Sequence, residues 1–399
     1  MAWIQERFLQ LIQPAGIVLQ ILGMLGIHGL EFALGGTGRE QGRDEKLGKA
    51  IQRVRVVVTE HVKVVGLLIL ADPKSSALRY HVAMPPDVNA ETVISTTPQV
   101  HVRNGNINAM KSDVLFHIGL TYSHEERRQV ANTFGDVKFF IAGGSAERMT
   151  HFAHAVAQEL NITSPYGYAL CPIGSTSRYM LYKVGPVLVA NHGIGMPSIS
   201  ILLHEITKLL EYAGVHDATY IRMGTSGGID VEPGTVVITS EAVNNKMDSV
   251  DEVAVLGTTQ LRPSVCSPKV LDEIVSAANE VGVPYAVGKT LSCNDFYEGQ
   301  GRLDGAICEY TLEDKMAFLH KLANAGVRNI EMEARLMAGF CHKLNIPVAV
   351  VCVTLLNRLD GDQVLSSPET LQNFEKRLGA VVLHYIKTKL SKLASVSCS

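Results

Sequence analysis

Residues 295–304 (Asp-Phe-Tyr-Glu-Gly-Gln-Gly-Arg-Leu-Asp) gather an aromatic pair, a carboxamide, a guanidinium and two glycines in one short stretch. Gln300 offers one carbonyl acceptor and an NH₂ donor, and Arg302 offers a fork of donors with no acceptor. That set could read the edge of a planar, polar, uncharged heterocycle, while Phe296 supplies a ring face for stacking. Glycine on both sides of Gln300 lets the two polar side chains project the same way from an extended loop. The same residues also suit a plain polar surface turn, so the stretch takes its meaning from what surrounds it.

Anion chemistry is written elsewhere in the chain. Residues 137–142 read as a buried strand running into Gly143-Gly144-Ser145, after which Met149, Phe152, Ala153, Val156 and Leu160 recur at helical spacing. Glycines let the backbone approach an anion, and the unpaired N–H groups and dipole at a helix start favour negative charge. Arg148 in the first turn could add a guanidinium; the ordinary alternative is a strand-to-helix turn with a surface arginine. Residues 218–228 repeat the plan, an extended run ending in the turn Gly224-Thr225-Ser226-Gly227-Gly228 with Arg222 at its tip. Glu331 and Glu333 face the same way if their segment is extended, and carboxylates are acceptor-only partners suited to sugar hydroxyls. Base, sugar and phosphate are then all provided for, which makes a nucleoside site.

The elements that must position these groups alternate. Strands are expected over 137–142, 187–190, 218–223 ahead of the 224–228 turn, 236–239, 284–291, 327–333 and 347–354. Helices are expected over 147–160, from Pro197 to about 212, and over 268–281, 312–325, a segment through 344, and 368–390. Such alternation predicts an α/β sandwich with ligands at strand ends. Composition agrees with a globular fold: of 399 residues, 46% are hydrophobic and 19% charged. A net charge of -3 without a basic block speaks against nucleic acid as a partner. Seven cysteines, odd in number and without Cys-x-x-Cys spacing, give neither a disulfide framework nor a zinc site and fit a reducing cytoplasm.

Residues 1–99 carry no recognisable chemistry and are read as an N-terminal extension preceding a domain over 100–399. Residues 8–30 lack charge, yet Gln10, Gln13, Pro14, Gln20 and His28 dilute the apolar run. Membrane contact there is not favoured; a packed or partner-binding helix, or an extension that is not well folded, are the other readings. Residues 53–58 and 62–70 look like strands, and Pro73, Pro85, Pro86 and Pro98 interrupt the chain after them.

His117, then residues 134–149, 185–205, 221–228, 295–302, 329–333 and 353–362, carry in order the pattern of the nucleoside phosphorylase-I family. Within it the chain resembles the uridine phosphorylases of the eukaryotic type, from about Val100 to the C-terminus. Gln-x-Arg in the base loop separates these from purine-acting relatives. The resemblance implies a three-layer α/β/α sandwich with a central mixed sheet, and a homodimer with active sites shared between subunits. By position, Gly144, Arg148, Arg222 and Thr225 would bind phosphate, with Arg178 reaching in from the neighbouring subunit. Gln300 and Arg302 would bind uracil, with Phe296 against the base and Arg358 backing Gln300. Met332 and Glu333 would hold the ribose with Glu331 beside them, and His117 of the neighbour would contact the 5′-hydroxyl. Arg302, Gln300 and Arg222 would carry the catalysis. The activity implied is reversible phosphorolysis of uridine to uracil and ribose 1-phosphate, with inorganic phosphate as co-substrate, no cofactor and no metal. A phosphorylase or hydrolase for another nucleoside, and a non-catalytic nucleoside-binding protein, are the alternatives. The first 99 residues match nothing in the family.

Overall fold

Alternation of side chains along single strands decides the layers. In β5 (Phe139–Gly143) Phe140 and Ala142 join one apolar cluster, whereas Phe139 and Ile141 join another. The first cluster takes in Ile199, Leu203 and Ile206 of α4 (Met196–Tyr212) and Met337 of α7 (Ala334–Leu344). The second takes in Met149 and Phe152 of α3 (Ala146–Glu159), Ile274 of α5 (Pro268–Val281) and Leu378 of α8 (Pro368–Ser397). Strands buried on both faces by helices make the expected three-layer α/β/α fold.

The protein is described from a computed structural model, which describes residues 66–71, 78–83, 104–123, 125–162, 170–174, 176 and 178–397. The chain divides into two compact units, Met1–Ser95 and Thr96–Ser399. In the first, β1 (Gly66–Ala71) pairs antiparallel with β2 (Leu78–Ala83), so a strand occupies most of the expected 62–70 segment. The strand expected over 53–58 and the apolar segment 8–30 lie outside the described residues. Among the described residues no helix is long and apolar enough to cross a membrane.

The second unit opens with α1 (Gly105–Ala109), the hairpin β3 (Ser112–Leu115) and β4 (Leu120–Ser123), and α2 (Arg127–Phe134). Its other strands are β6 (Leu181–Val184), β7 (Val187–Asn191), β8 (Thr219–Gly228), β9 (Val236–Val243), β12 (Tyr285–Ser292), β13 (Val327–Glu331) and β14 (Val348–Asn357). A second hairpin joins β10 (Val250–Val255) to β11 (Thr258–Pro263), and α6 (Leu312–Asn324) precedes β13. The main sheet has eight strands in the order β13-β12-β9-β14-β8-β5-β7-β6. Pairing is parallel except for β6 with β7, β14 with β9, and β13 with β8. That last pairing, Asn329 opposite Gly228 and Ile330 opposite Gly227, closes β8, β14, β9, β12 and β13 into a ring.

One local expectation fails. The glycine and hydroxyl run 224–228 is strand throughout, and Arg222 sits mid-strand opposite Ala142 and Val350 rather than at a tip. The physical reason is tertiary: β5 and β14 flank β8 and supply ladder partners that outweigh the turn preference of glycine. Glycine is required there for space. A Cβ at Gly224 would collide with the Arg222 guanidinium and the Cys352 thiol, and one at Gly227 would lie 2.8 Å from Arg358 Cγ.

Candidate active site

The C-terminal ends of β5 and β7 build one wall. β5 runs through Gly143 and Gly144 to Ser145, whose hydroxyl accepts from the Arg148 N–H at 3.3 Å and caps α3. The Arg148 side chain is buried; Nη1 donates to Glu375 Oε1 of α8 at 3.0 Å, while Nε makes no hydrogen bond in the protein. β7 ends at Asn191, and the next residue, His192, donates its backbone N–H to Gly143 O at 2.7 Å, tying the two strand ends together. The His192 ring is fully buried, and among the described residues neither ring nitrogen has a partner in hydrogen-bond geometry, although the Gly193 backbone lies near enough to act on its pKa. Burial, then the nearby Arg222 guanidinium, lowers its pKa to about 3. Gly193 and Gly195 take positive φ (71° and 88°), a turn that brings the Gly195 N–H to Glu333 Oε1 at 2.5 Å.

Arg222 forms the centre. Its Nη2 lies 2.9 Å from Glu331 Oε2 and also pairs with Glu333, and Nη1 donates to Cys352 Sγ at 3.1 Å. Glu331 in turn accepts the backbone N–H groups of Glu333 (2.8 Å) and Ala334 (2.9 Å), at the start of α7. The two carboxylates converge as expected, but by another route: β13 ends at Glu331, and Glu333 leaves the extended conformation to cap α7. Burial, opposed by Arg222, leaves the Glu331 carboxyl above its usual range. At Glu333 burial alone would raise the carboxyl, and Arg222, His192 and the Gly195 N–H together outweigh it and hold the group below its usual range. Met332, between them, is half-buried. Thr225 is half-buried three residues beyond Arg222, and no described hydrogen bond joins its hydroxyl to this cluster. Residues three apart on a strand face opposite sides.

The base loop leaves β12 at Cys293, which donates its N–H to the Glu331 carbonyl at 2.9 Å. It is not extended. Asp295 Oδ1 accepts from Tyr297 N (3.0 Å) and Gly299 N (2.8 Å), folding residues 298–300 into a 3₁₀ turn that ends at Gly301 with φ 63°. Gln300 is buried, its backbone carbonyl accepts from Arg358 Nη2 at 2.9 Å, and its side-chain amide has no described partner. Arg302 grips Asp304 through Nε and Nη2, each at 2.9 Å, and Nη2 also donates to Asp362 O at 2.6 Å. Its guanidinium lies 4.5 Å over the Phe296 ring, so that ring stacks on arginine. Asp362 is the hub: Oδ1 accepts from Lys315 Nζ (2.8 Å) and Arg358 Nε (3.0 Å), and Oδ2 from Leu303 N (3.0 Å). Burial alone would raise the Asp362 carboxyl; the bonds from Lys315 and Leu303 N together with the Arg358 charge outweigh it, and the group stays below its usual range.

Two expected site residues stand apart from this cluster. His117, in the β3–β4 turn, is held by Glu205 of α4: Nδ1 lies 2.7 Å from Oε1, and the carboxylate also accepts His117 N (3.0 Å) and Ile118 N (2.9 Å). That fixes the ring and leaves Nε2 free. Arg178 is exposed on the turn before β6, with its N–H donated to Thr176 Oγ1. Neither makes a described hydrogen bond or ion pair to Arg148, Arg222 or Gln300.

His192, Glu205, Asp304, Asp362 and Glu375 were not singled out by sequence. A signal existed for His192, which follows a buried strand at the end where open α/β sheets place ligands. Among the described residues no group of three or more acidic, histidine or cysteine side chains could hold a metal.

The Phosphorylase superfamily model matches residues 138–387. Uridine phosphorylase 1 of Mus musculus is 44% identical over 294 residues, covering 73% of this chain and 94% of that one. The chain belongs to the uridine phosphorylases. A solved uridine phosphorylase structure from the oomycete Phytophthora capsici is 81% identical with a TM-score of 0.69, covering 74% of this chain and 99% of that one. The inactive uridine phosphorylase B of Schistosoma mansoni is 37% identical over 286 residues, covering 71% and 95%. Membership and turnover are therefore separable within the family.

Proposed function

We propose that this protein catalyses the reversible phosphorolysis of uridine to uracil and ribose 1-phosphate. The observation that carries this reading is the buried Arg222–Glu331–Glu333 knot, joined through Cys293 to the Gln300–Arg302 loop. A cation and two carboxylates at the strand ends suit phosphate and ribose, and the loop beside them suits a base. Cleaving the nucleoside C–N bond builds positive charge on the ribose and negative charge on the departing uracil, so donors on the base oxygens matter most in the transition state. Asp304 holds Nε and Nη2 of Arg302 and leaves Nη1 to donate. Gln300 pairs with the uracil amide edge, and Glu333 accepts from the ribose hydroxyls. Phosphate, held by Arg222, Arg148 and the Gly144 backbone, attacks the anomeric carbon. The transfer is not a redox reaction and calls for no cofactor beyond phosphate as co-substrate.

Uracil release from uridine that depends on added phosphate is the expected result. Release without phosphate would make the protein a hydrolase, and uridine binding without release would make it a binder.

The site is completed in a homodimer. His117 and Arg178 do not reach their own cluster, and Val114 and Phe116 beside His117 are 61% and 74% exposed, as a subunit contact would have them. Mixing Arg178→Ala with Gln300→Leu subunits should restore activity, since each hybrid dimer then holds one intact site. No restoration after demonstrated subunit exchange would remove the shared site. Residues 100–399 form the catalytic domain, so a chain starting near Gln99 should keep phosphorolytic activity; an inactive truncation beside an active full-length protein would overturn this. Thiols rather than disulfides at Cys266, Cys293, Cys308, Cys341 and Cys352 support placement in the cytoplasm.

A further inference from the structure

Around Gly144 the fold buries polar atoms that have no hydrogen-bond partner among the described residues. They are Nδ1 and Nε2 of His192, Nε of Arg148 and Nε of Arg222. A Cβ built on Gly144 would lie 3.7 Å from Arg148 Nη2 and 3.8 Å from His192 Cε1, so the imidazole and this guanidinium flank the same bare stretch of backbone. Arg222 enters from the neighbouring strand, where it pairs opposite Ala142. Native folds seldom leave such groups without a partner, and those they do leave mark places where something else supplies one.

We propose that His192 is a phosphate-binding residue, an uncharged imidazole that donates one ring N–H to the phosphate held by Gly144, Arg148 and Arg222. The identity of the anion rests on the phosphorolysis reading above. The residue is pinned through its backbone: the His192 backbone N–H donates to Gly143 O at 2.7 Å, and its backbone carbonyl accepts from Ser198 Oγ of α4 at 2.5 Å. Its charge state also suits the task. With a pKa lowered to about 3, the ring is neutral at physiological pH and keeps one N–H donor and one acceptor nitrogen. It therefore adds a donor without a third positive charge beside two guanidiniums, and leaves Glu331 and Glu333 to Arg222.

The test uses the full-length protein. His192→Phe keeps a ring and removes both nitrogens, whereas His192→Asn keeps a donor. The Phe variant should raise the phosphate KM about tenfold or more, with the uridine KM within about twofold, and lose most of the phosphate-induced rise in Tm. The Asn variant should recover much of both. In the wild type labelled with ¹⁵N-histidine, the His192 ring signals, assigned by their loss in the Asn variant, should be those of a neutral imidazole and should move when phosphate alone is added. An unchanged phosphate KM in the Phe variant, an equal rise in both KM values, or ring signals indifferent to phosphate would each overturn the proposal. The labelled wild type and the Asn variant decide the matter if the Phe variant does not fold. Because the phosphate titration needs no nucleoside, a protein that responds to phosphate at His192 but does not cleave uridine would refute the substrate and leave this residue's role standing.

Discussion

Gln300→Leu should lower kcat/KM for uridine by up to about 10⁴- to 10⁵-fold while leaving phosphate binding intact. The substitution conserves size and removes both the donor and the acceptor, so the uracil amide edge would enter a buried pocket with nothing to pair it. The loop should keep its shape, because Arg358 grips the backbone carbonyl of Gln300 and not its side chain, and that amide has no partner among the described residues. Phosphate should still raise the Tm, since Arg148 and Arg222 lie on other elements. Arg302→Ala should differ in kind, lowering kcat by about 10²- to 10³-fold as a lost donor to developing charge does. Uridine kinetics and phosphate-induced stabilisation of the two variants test the assignment together. Near-normal uridine turnover in Gln300→Leu would mean that this loop does not recognise the base.

Arg222→Met should abolish turnover and also destabilise the fold, by about 3–5 kcal/mol near neutral pH. Removing one side of a buried ion pair leaves the other side uncompensated, and here it leaves two carboxylates, Glu331 and Glu333, facing each other. The sign of the pH dependence follows. Glu331 already has a carboxyl above its usual range, and without Arg222 it must rise further. A carboxyl raised on folding costs stability above its unfolded pKa, and that cost fades as pH falls through the folded pKa. The gap in Tm between wild type and variant should therefore be largest near pH 8 and shrink towards pH 5. Thermal unfolding at the two values checks it; a gap independent of pH would mean that the carboxylates are not the source of the strain.

The helix over 268–281 was legible to the residue, because Pro268 opens it and Gly282, at φ 74°, closes it. The strand into Gly143-Gly144-Ser145 was equally plain, since a five-residue apolar run meets a serine cap. The run 224–228 was misread because local preference says turn, and only β5 and β14 alongside say strand. The base loop was misread for the converse reason, an Asp295 side chain folding its own backbone. The hairpin β10–β11 escaped notice because exposed residues dominate it, with only Arg262 of β11 as much as half-buried, and β3–β4 because each of its strands is only four residues long. Above all, the partners that set the site's electrostatics are remote in sequence. Glu205 lies 88 positions from His117, and Glu375 lies 227 from Arg148. Residue types, spacing and the family resemblance named candidate side chains, and the groups holding them in place became visible only with the fold.

The ring of strands has a bearing on how the enzyme comes into being. Its seam rests on two residue pairs that join Gly227 and Gly228 to Ile330 and Asn329, and Glu331 follows directly. Arg358, which then steadies Gln300, donates its own N–H to Gly228 O at 2.8 Å. On the ribosome, the residues up to 300 emerge before the strands that complete the ring, so Arg222 leaves the tunnel without its carboxylates and Gln300 without its brace. A contact spanning so much chain pays its loop-closure entropy before it is rewarded. Synthesis therefore yields no half-built pocket: a nascent chain stalled before β14 has every phosphate-side residue and no catalyst.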